Sequence, residues 1–239
     1  VADAVRQLER PGTWIKLTCG HEVDPEYAAM LREILIELEA CTQLPLRRQV
    51  TWVSPTIFIA APNTVTPFHI DHEITYLFQI QGRKEVNLFD QCDRSLISER
   101  ELEQFYAGDL GVAKYHSEFQ AKAAVYPLGP GDAVHHPSLA PHWVKNGEEP
   151  TISMSLNFCM RNLDRRARIR QFNYYSRKLG VLPSPPGAVP WKDAVKIASL
   201  GVFSARNPKS AREAVASGLD RILAPARFVK RLRTRSPDE

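Results

Sequence analysis

Two apolar periodicities divide this chain. A period of two, the mark of strands with one buried face, runs through short segments before residue 160, and a helical pattern takes over after Met160. Residues 13–17 read as an opening strand. Asp24-Pro25-Glu26 then starts a helix, with proline at its first position and Tyr27, Met30, Leu31, Ile34, Leu35 and Leu38 recurring on one face. Segments rich in Val, Ile, Thr and aromatic residues predict strands near 49–61, 74–81 and 84–89, and again near 122–127, 132–136, 142–146 and 151–159. Between the two groups, Ser98-x-x-Glu101 is a capping-box pattern that predicts a short helix. Pro183-Ser184-Pro185-Pro186-Gly187 breaks the last part into two helical stretches. No internal repeat is visible. Many short strands with Gly/Pro turns predict a mainly β protein with flanking helices (α+β), a closed jelly roll or double-stranded β-helix with a helical C-terminal extension. The expected division is 1–160 for the barrel with its N-terminal helix and 161–239 for the extension.

Composition adds little until it is taken by region. At 44% hydrophobic, the 239 residues hold enough apolar material for a real core. No apolar run is long enough to span a bilayer, and no signal-peptide pattern opens the chain, so a cytoplasmic location is expected. The missing initial Met fits a trimmed start. Cys19, Cys41, Cys92 and Cys159 lack metal-type or disulfide-framework spacing and are expected to be free, buried thiols. Residues 1–160 carry 13 Lys and Arg against 21 Asp and Glu, a balance of −8, whereas 161–239 carry 18 against 6, a balance of +12. Such a tail is expected to be a solvated helical surface first, and an attachment to an acidic partner or anionic membrane second. The stretch Arg227-Phe228-Val229-Lys230-Arg231-Leu232-Arg233-Thr234-Arg235 interleaves apolar and basic residues as a membrane-surface segment does, which would make the protein peripheral to a membrane. No recognition motif accompanies the charge, which argues against nucleic acid.

The chemistry concentrates in His69-Ile70-Asp71 and, much later, His142. On a strand, residues one apart face the same side, so His69 and Asp71 can reach one metal ion from a regular backbone. His142 follows Pro137-Ser138-Leu139-Ala140-Pro141, whose prolines restrict the turn that presents it. Two imidazoles and one carboxylate form the three-ligand face that suits Fe(II), and Mn, Co or Ni fit the same cage. Alone, an HxD pattern is a chance event in many proteins. Lys84 gives it context, standing after the turn residue Gly82 where an ammonium can meet the far carboxylate of a dicarboxylate that chelates iron through its other end.

These residues resemble the JmjC or cupin-like branch of the Fe(II)/2-oxoglutarate oxygenases. In motif the chain is most similar to the asparaginyl hydroxylase that acts on hypoxia-inducible factor. Asn63-Thr64-Val65-Thr66-Pro67-Phe68-His69-Ile70-Asp71 resembles the stretch leading into that enzyme's first two iron ligands. The resemblance implies that His69, Asp71 and His142 hold iron, and that Thr66, Lys84 and Asn157 hold 2-oxoglutarate, with O2 as the other co-reactant. It runs from about residue 50 to 160 and departs at three points. Thr75 stands where that hydroxylase has another polar residue, His135-His136 replace an apolar or aromatic pair before Pro137, and the early tyrosine contact to 2-oxoglutarate has no counterpart here.

The remaining histidines carry blander expectations. His72 should point away from the ligands, supporting them from behind or lying at the surface, His135 and His136 should face opposite ways, and His21 and His116 should lie at the surface. Glu73 shares the parity of His69 and Asp71 and is a candidate to approach the site, while exposed strand carboxylates are common. Trp143, Tyr76 and Arg83 are candidates for the entrance and equally for packing. Three functions fit: a hydroxylase of a protein or peptide side chain, a hydroxylase of a small anionic molecule that is lipid- or sugar-linked, and a non-catalytic cupin that binds metal or sugar. N-demethylation would use the same ligand set. The terminal helices resemble those that form dimer interfaces in related oxygenases, so a homodimer is a further expectation, and a helix that merely caps the barrel reads identically.

Overall fold

The computed structural model describes residues 12–201. The basic run 227–235 lies outside the described residues. Within them the chain forms two compact units, one of residues 12–98 and 113–163, the other of 99–112 and 164–201.

The first unit is a jelly roll of two antiparallel sheets. One has the order β1 (Trp14–Thr18), β2 (Val50–Ala60), β9 (Thr151–Met160), β4 (Ile74–Gln81), β7 (Ala133–His136). The other has the order β3 (Val65–His69), β8 (His142–Asn146), β5 (Lys84–Leu88), β6 (Ala124–Leu128). The strands fall close to where the period of two places them. β6 starts later than the pattern suggests because Ser117–Lys122 winds into a 3-10 helix. The helix Pro25–Thr42 begins as read, with Asp24 accepting from the backbone N–H of Glu26 and Tyr27.

Alternation along β9 explains the shape. Met154, Leu156 and Phe158 join Leu31 and Leu46 in one core cluster, with Tyr27, Ile34, Leu35 and Leu38 of the helix packed against it. The intervening Ser155 and Asn157 line a cavity on the other side of the sheet. A second cluster, Leu77, Val86, Leu128, Val134 and Val144, draws on both sheets and fills the barrel beside that cavity. A strand that turns its polar side chains inward has its helix on the outer face and leaves hydrogen-bonding capacity inside the barrel.

The connection from β4 to β5, which passes from one sheet to the other, fixes where Lys84 falls. Its two loop residues are Gly82 and Arg83, and Gly82 has a φ of 73°. A positive φ of this size lies in the left-handed region that glycine enters without steric cost. A Cβ there would lie 2.7 Å from the carbonyl oxygen of Pro150, so any other residue would force the two backbones apart.

The second unit contains the helices Glu99–Tyr106 and Pro190–Gly201 and nearly all of Arg161–Lys178. Its basic residues are not all a solvated face. Arg170, 5% exposed, binds Glu99 at 2.8 Å, and Arg177 donates to the buried Glu103 at 2.6 Å. Lys196, also buried, donates to the carbonyl of Ser184 at 2.7 Å, which anchors the Pro/Gly break. Part of the positive excess is therefore spent on internal pairs. No helix among the described residues is long and apolar enough to cross a membrane. All four cysteines are free, as expected, yet only Cys159 is buried; Cys41 and Cys92 are exposed and Cys19 is half-buried.

Candidate metal centre

His69, Asp71 and His142 come together at the end of the cavity. Asp71 Oδ2 lies 3.6 Å from His69 Nε2 and 3.7 Å from His142 Nε2, and the three ligand atoms all lie within 4.8 Å of one another. The separations are too long for hydrogen bonds and suit donors that share an ion at about 2.1 Å each. The backbone differs from the expectation in one respect. His69 ends β3 and Asp71 belongs to the following turn, so the two do not sit on one strand. They converge because His69 pairs with His142 across the sheet and the turn folds Asp71 back over both.

The imidazoles are set in the tautomer that metal binding needs. His69 Nδ1 lies 2.7 Å from the carbonyl of Pro67, and His142 Nδ1 lies 3.0 Å from that of Ala140. A carbonyl can only accept, so each Nδ1 carries a proton and each Nε2 is the atom left for an ion. Burial pushes His142 down to about 4, and His69 beside it pushes the same way, so it is neutral at pH 7. For His69 burial works against protonation, but the Asp71 carboxylate outweighs it and raises the pKa. Asp71, whose side chain is 40% exposed, is held well below the usual carboxylate range by His69 first and then His142. A deprotonated carboxylate, a neutral His142 and a His69 whose Nε2 proton an incoming cation can displace fit a divalent ion.

The turn that presents His142 is tied to the turn that presents Asp71. Leu139 donates its N–H to the carbonyl of Asp71 at 2.8 Å, and Ser138 Oγ donates to the carbonyl of His72 at 2.6 Å. To make the first bond Leu139 adopts a φ of 63°, a left-handed conformation that costs a branched residue about 1 kcal/mol.

Beyond the ligands runs a cavity of about 320 Å³. Thr66, Lys84 and Asn157 all line it, so all six residues singled out in the sequence border one space. Along β8, His142, Val144 and Asn146 face inward, paired respectively with Leu88, Val86 and Lys84 of β5. Lys84 is thus four residues from the ligand row, about 13 Å along the strands. Thr66 and His69 are three apart, a spacing that puts side chains on opposite faces of a regular strand. Both line the cavity because the register shifts between them, a bulge that re-aims the strand.

Lys84 is 9% exposed, and its ammonium makes no ion pair or hydrogen bond within the described residues. Burial alone pushes its ammonium down to about 8. Asn157 is held by its own carbonyl. Thr75 Oγ1 donates to Asn157 Oδ1 at 2.9 Å, and Ser155 Oγ donates to the same oxygen, which leaves the Nδ2 hydrogens for the cavity. Thr75 is thus the clamp for Asn157.

Other histidines separate as alternation requires. His136 is buried and lines the cavity, while His135 is exposed on the opposite face and stacks on Tyr76 at 4.8 Å. His116 is exposed and His21 half-buried. His72 is not a surface residue: it is 1% exposed, with Nε2 3.1 Å from Cys159 Sγ. Glu73 lines the cavity outside the ligand set, and burial first, then Asp71, raises its pKa. Trp143, Tyr76 and Arg83 do not line it; the Trp143 indole donates to Gln120 at 3.2 Å. The sequence reading missed Ser155 and Thr64 on the cavity wall, although the Ser153, Ser155, Asn157 alternation against Met154, Leu156, Phe158 was the signal for the first.

Residues 19–164, well over half of the chain, match the cupin-like domain family. No curated protein matches the chain. Among solved structures, it is similar to the DMSP lyase DddQ from Ruegeria pomeroyi, with 18% identity over 46% of this chain and 39% of that one, TM-score 0.30. It is similar to KdgF from Halomonas sp., with 15% identity over 48% and 76% and a TM-score of 0.30. For the polyketide cyclase RemF from Streptomyces resistomycificus the values are 18% identity, 45% and 54%, and 0.28. The chain therefore spans well under half the length of the lyase. The family match, on a jelly roll with a His/His/Asp cluster at the end of its cavity, shows that this chain belongs to the cupin-like domain family.

Proposed function

We propose that this protein is an Fe(II)- and 2-oxoglutarate-dependent oxygenase, a hydroxylase of a protein or peptide side chain or of a small anionic molecule. The carrying observation is Lys84, a buried ammonium without a counter-ion in the cavity that ends at His69, Asp71 and His142. A buried cation without a partner is costly, and a dicarboxylate reaching from the metal side supplies the charge it lacks. In this reading His69, Asp71 and His142 hold the iron, and Lys84, Thr66 and the Nδ2 of Asn157 hold the distal carboxylate. Thr75 and Ser155 keep the Asn157 amide from rotating, and Leu77 and Val144 add apolar surface to the wall. An iron held by these three residues would supply the oxidising chemistry, in which O2 decarboxylates 2-oxoglutarate to succinate and CO2 and its second oxygen atom goes to a substrate C–H bond. The motif likeness to the asparaginyl hydroxylase favours a protein side chain as substrate. The basic C-terminal segment would recruit an acidic partner or an anionic membrane, or assemble a homodimer.

The test is an anaerobic titration of metal-free protein with Fe(II) and then 2-oxoglutarate, read by the visible charge-transfer band. A band that needs both additions and is absent in His142→Ala is the expected result. No band in folded protein would leave a metal- or sugar-binding cupin without this catalysis. A finer expectation concerns the clamp. Thr75→Val should weaken 2-oxoglutarate severalfold with Fe(II) affinity unchanged, since it removes one of two hydroxyls that orient Asn157. Equal affinity for 2-oxoglutarate in the variant would remove Asn157 from the binding set.

A further inference from the structure

His136 stands where the resemblance has an apolar or aromatic residue, and the structure gives that departure a place. At the end of β7 it pairs with Thr75 of β4, which pairs with Asn157 of β9. All three line the cavity, so they form a polar row across one wall, about 10 Å from end to end at ordinary strand spacing. Asn157 and Thr75 bond each other, but His136 has no partner in the row. It is 5% exposed, and its Nε2 is buried without a hydrogen bond. Its ring lies 4.5 Å from that of His142, yet it is outside the group whose donor atoms converge. A buried imidazole nitrogen without a bond is unfavourable, and an apolar side chain would fill the position without that penalty. The missing partner must then enter the cavity, and beside a cation centre the ligand atom at hand is an anionic oxygen.

We propose that His136 Nε2–H donates a hydrogen bond to a carboxylate oxygen of the molecule coordinated at His69, Asp71 and His142. His136 is a positioning residue for the metal-facing end of that molecule, as Lys84 is for the far end. The inference rests on the metal reading of the site and needs no particular cosubstrate.

Calorimetric titration of Mn(II)-loaded protein with oxalate, and separately with 2-oxoglutarate, tests it. Oxalate chelates an ion but is too short to need Lys84. His136→Leu is expected to weaken both anions about tenfold or more, the scale of a hydrogen bond to a charged group. His136→Gln, which keeps a donor, should recover part of that loss, and Lys84→Ala should weaken 2-oxoglutarate alone. Mn(II) affinity should be unchanged in His136→Leu, and the metal-free variant should melt no lower than its parent because an unbonded polar atom is gone. Unchanged oxalate affinity in the folded variant would overturn the proposal. So would a loss of Mn(II) affinity as large as in His142→Ala, which would make His136 a ligand, or failure of the loaded parent to bind either anion. If oxalate binds in a His136-dependent way and 2-oxoglutarate does not bind at all, the proposed cosubstrate fails and this inference stands.

Discussion

Lys84→Met is expected to melt higher than the parent in the absence of cosubstrate while losing affinity for 2-oxoglutarate by at least two orders of magnitude. The ammonium is 9% exposed with its pKa at about 8, and burial is the cause. Against the ordinary lysine value near 10.4, the difference amounts to roughly 3 kcal/mol that folding spends on keeping a charge in the barrel. Met has a similar reach and no charge, so the variant recovers much of it, roughly 5–10 °C in Tm for a chain of this size. The sign with pH follows. Below about pH 8 the lysine is protonated in both states and the full penalty is present. Between about pH 8 and 10.4 the unfolded chain binds more protons than the folded one, so the parent gains stability as pH rises, and Lys84→Met does not. Melting curves of both proteins at pH 7 and pH 10 should converge. A lysine that merely packs would give a variant no more stable than its parent at pH 7 and equal affinity for the diacid.

Asp71→Ala is expected to abolish turnover and to reduce Fe(II) affinity far beyond the roughly 10–100-fold that loss of an outer hydrogen-bond partner causes. It removes the only carboxylate in the converging set, and with it the charge that raises His69. Metal titration and succinate formation measure the two effects separately. Glu73 supplies the contrast. It lines the same cavity with its carboxylate outside the ligand set, so Glu73→Gln should bind Fe(II) as the parent does. Retained activity in Asp71→Ala would transfer the ligand role to Glu73 and undo the assignment of the centre.

Local patterns carried the sequence reading a long way. Alternation along β4 and β9, the Gly82 turn and the Asp24-Pro25 start were each decided by neighbours a few residues away, and each is visible in the chain itself. The grouping of His142 with His69 depends on a pairing between residues 73 positions apart, which the proline-flanked turn only hinted at. What escaped was set by irregular or long-range geometry. Asp71 leaves the strand because β3 ends at His69, and the bulge after Thr66 reverses the parity that a regular strand would impose. The choice for His72 between a supporting and a surface position was open in sequence, and β9 decides it by bringing Cys159 against the ring, a contact no spacing rule contains. Arg170 and Lys196 look like solvated basic residues in sequence and find their acidic or carbonyl partners only in the folded second unit.

Leu139 holds its left-handed backbone for the sake of a bond to the carbonyl of Asp71, and Ser138 adds a second bond to the neighbouring carbonyl. The two segments that contribute Asp71 and His142 are therefore stitched together at the backbone, independently of any ion between their side chains. Withdrawing one ligand alone would strain or break that stitch, so the cage is expected to open as a unit. The consequence concerns preparation rather than capture: the backbones that carry Asp71 and His142 are already in register before any ion arrives, so an ion has only side chains to order.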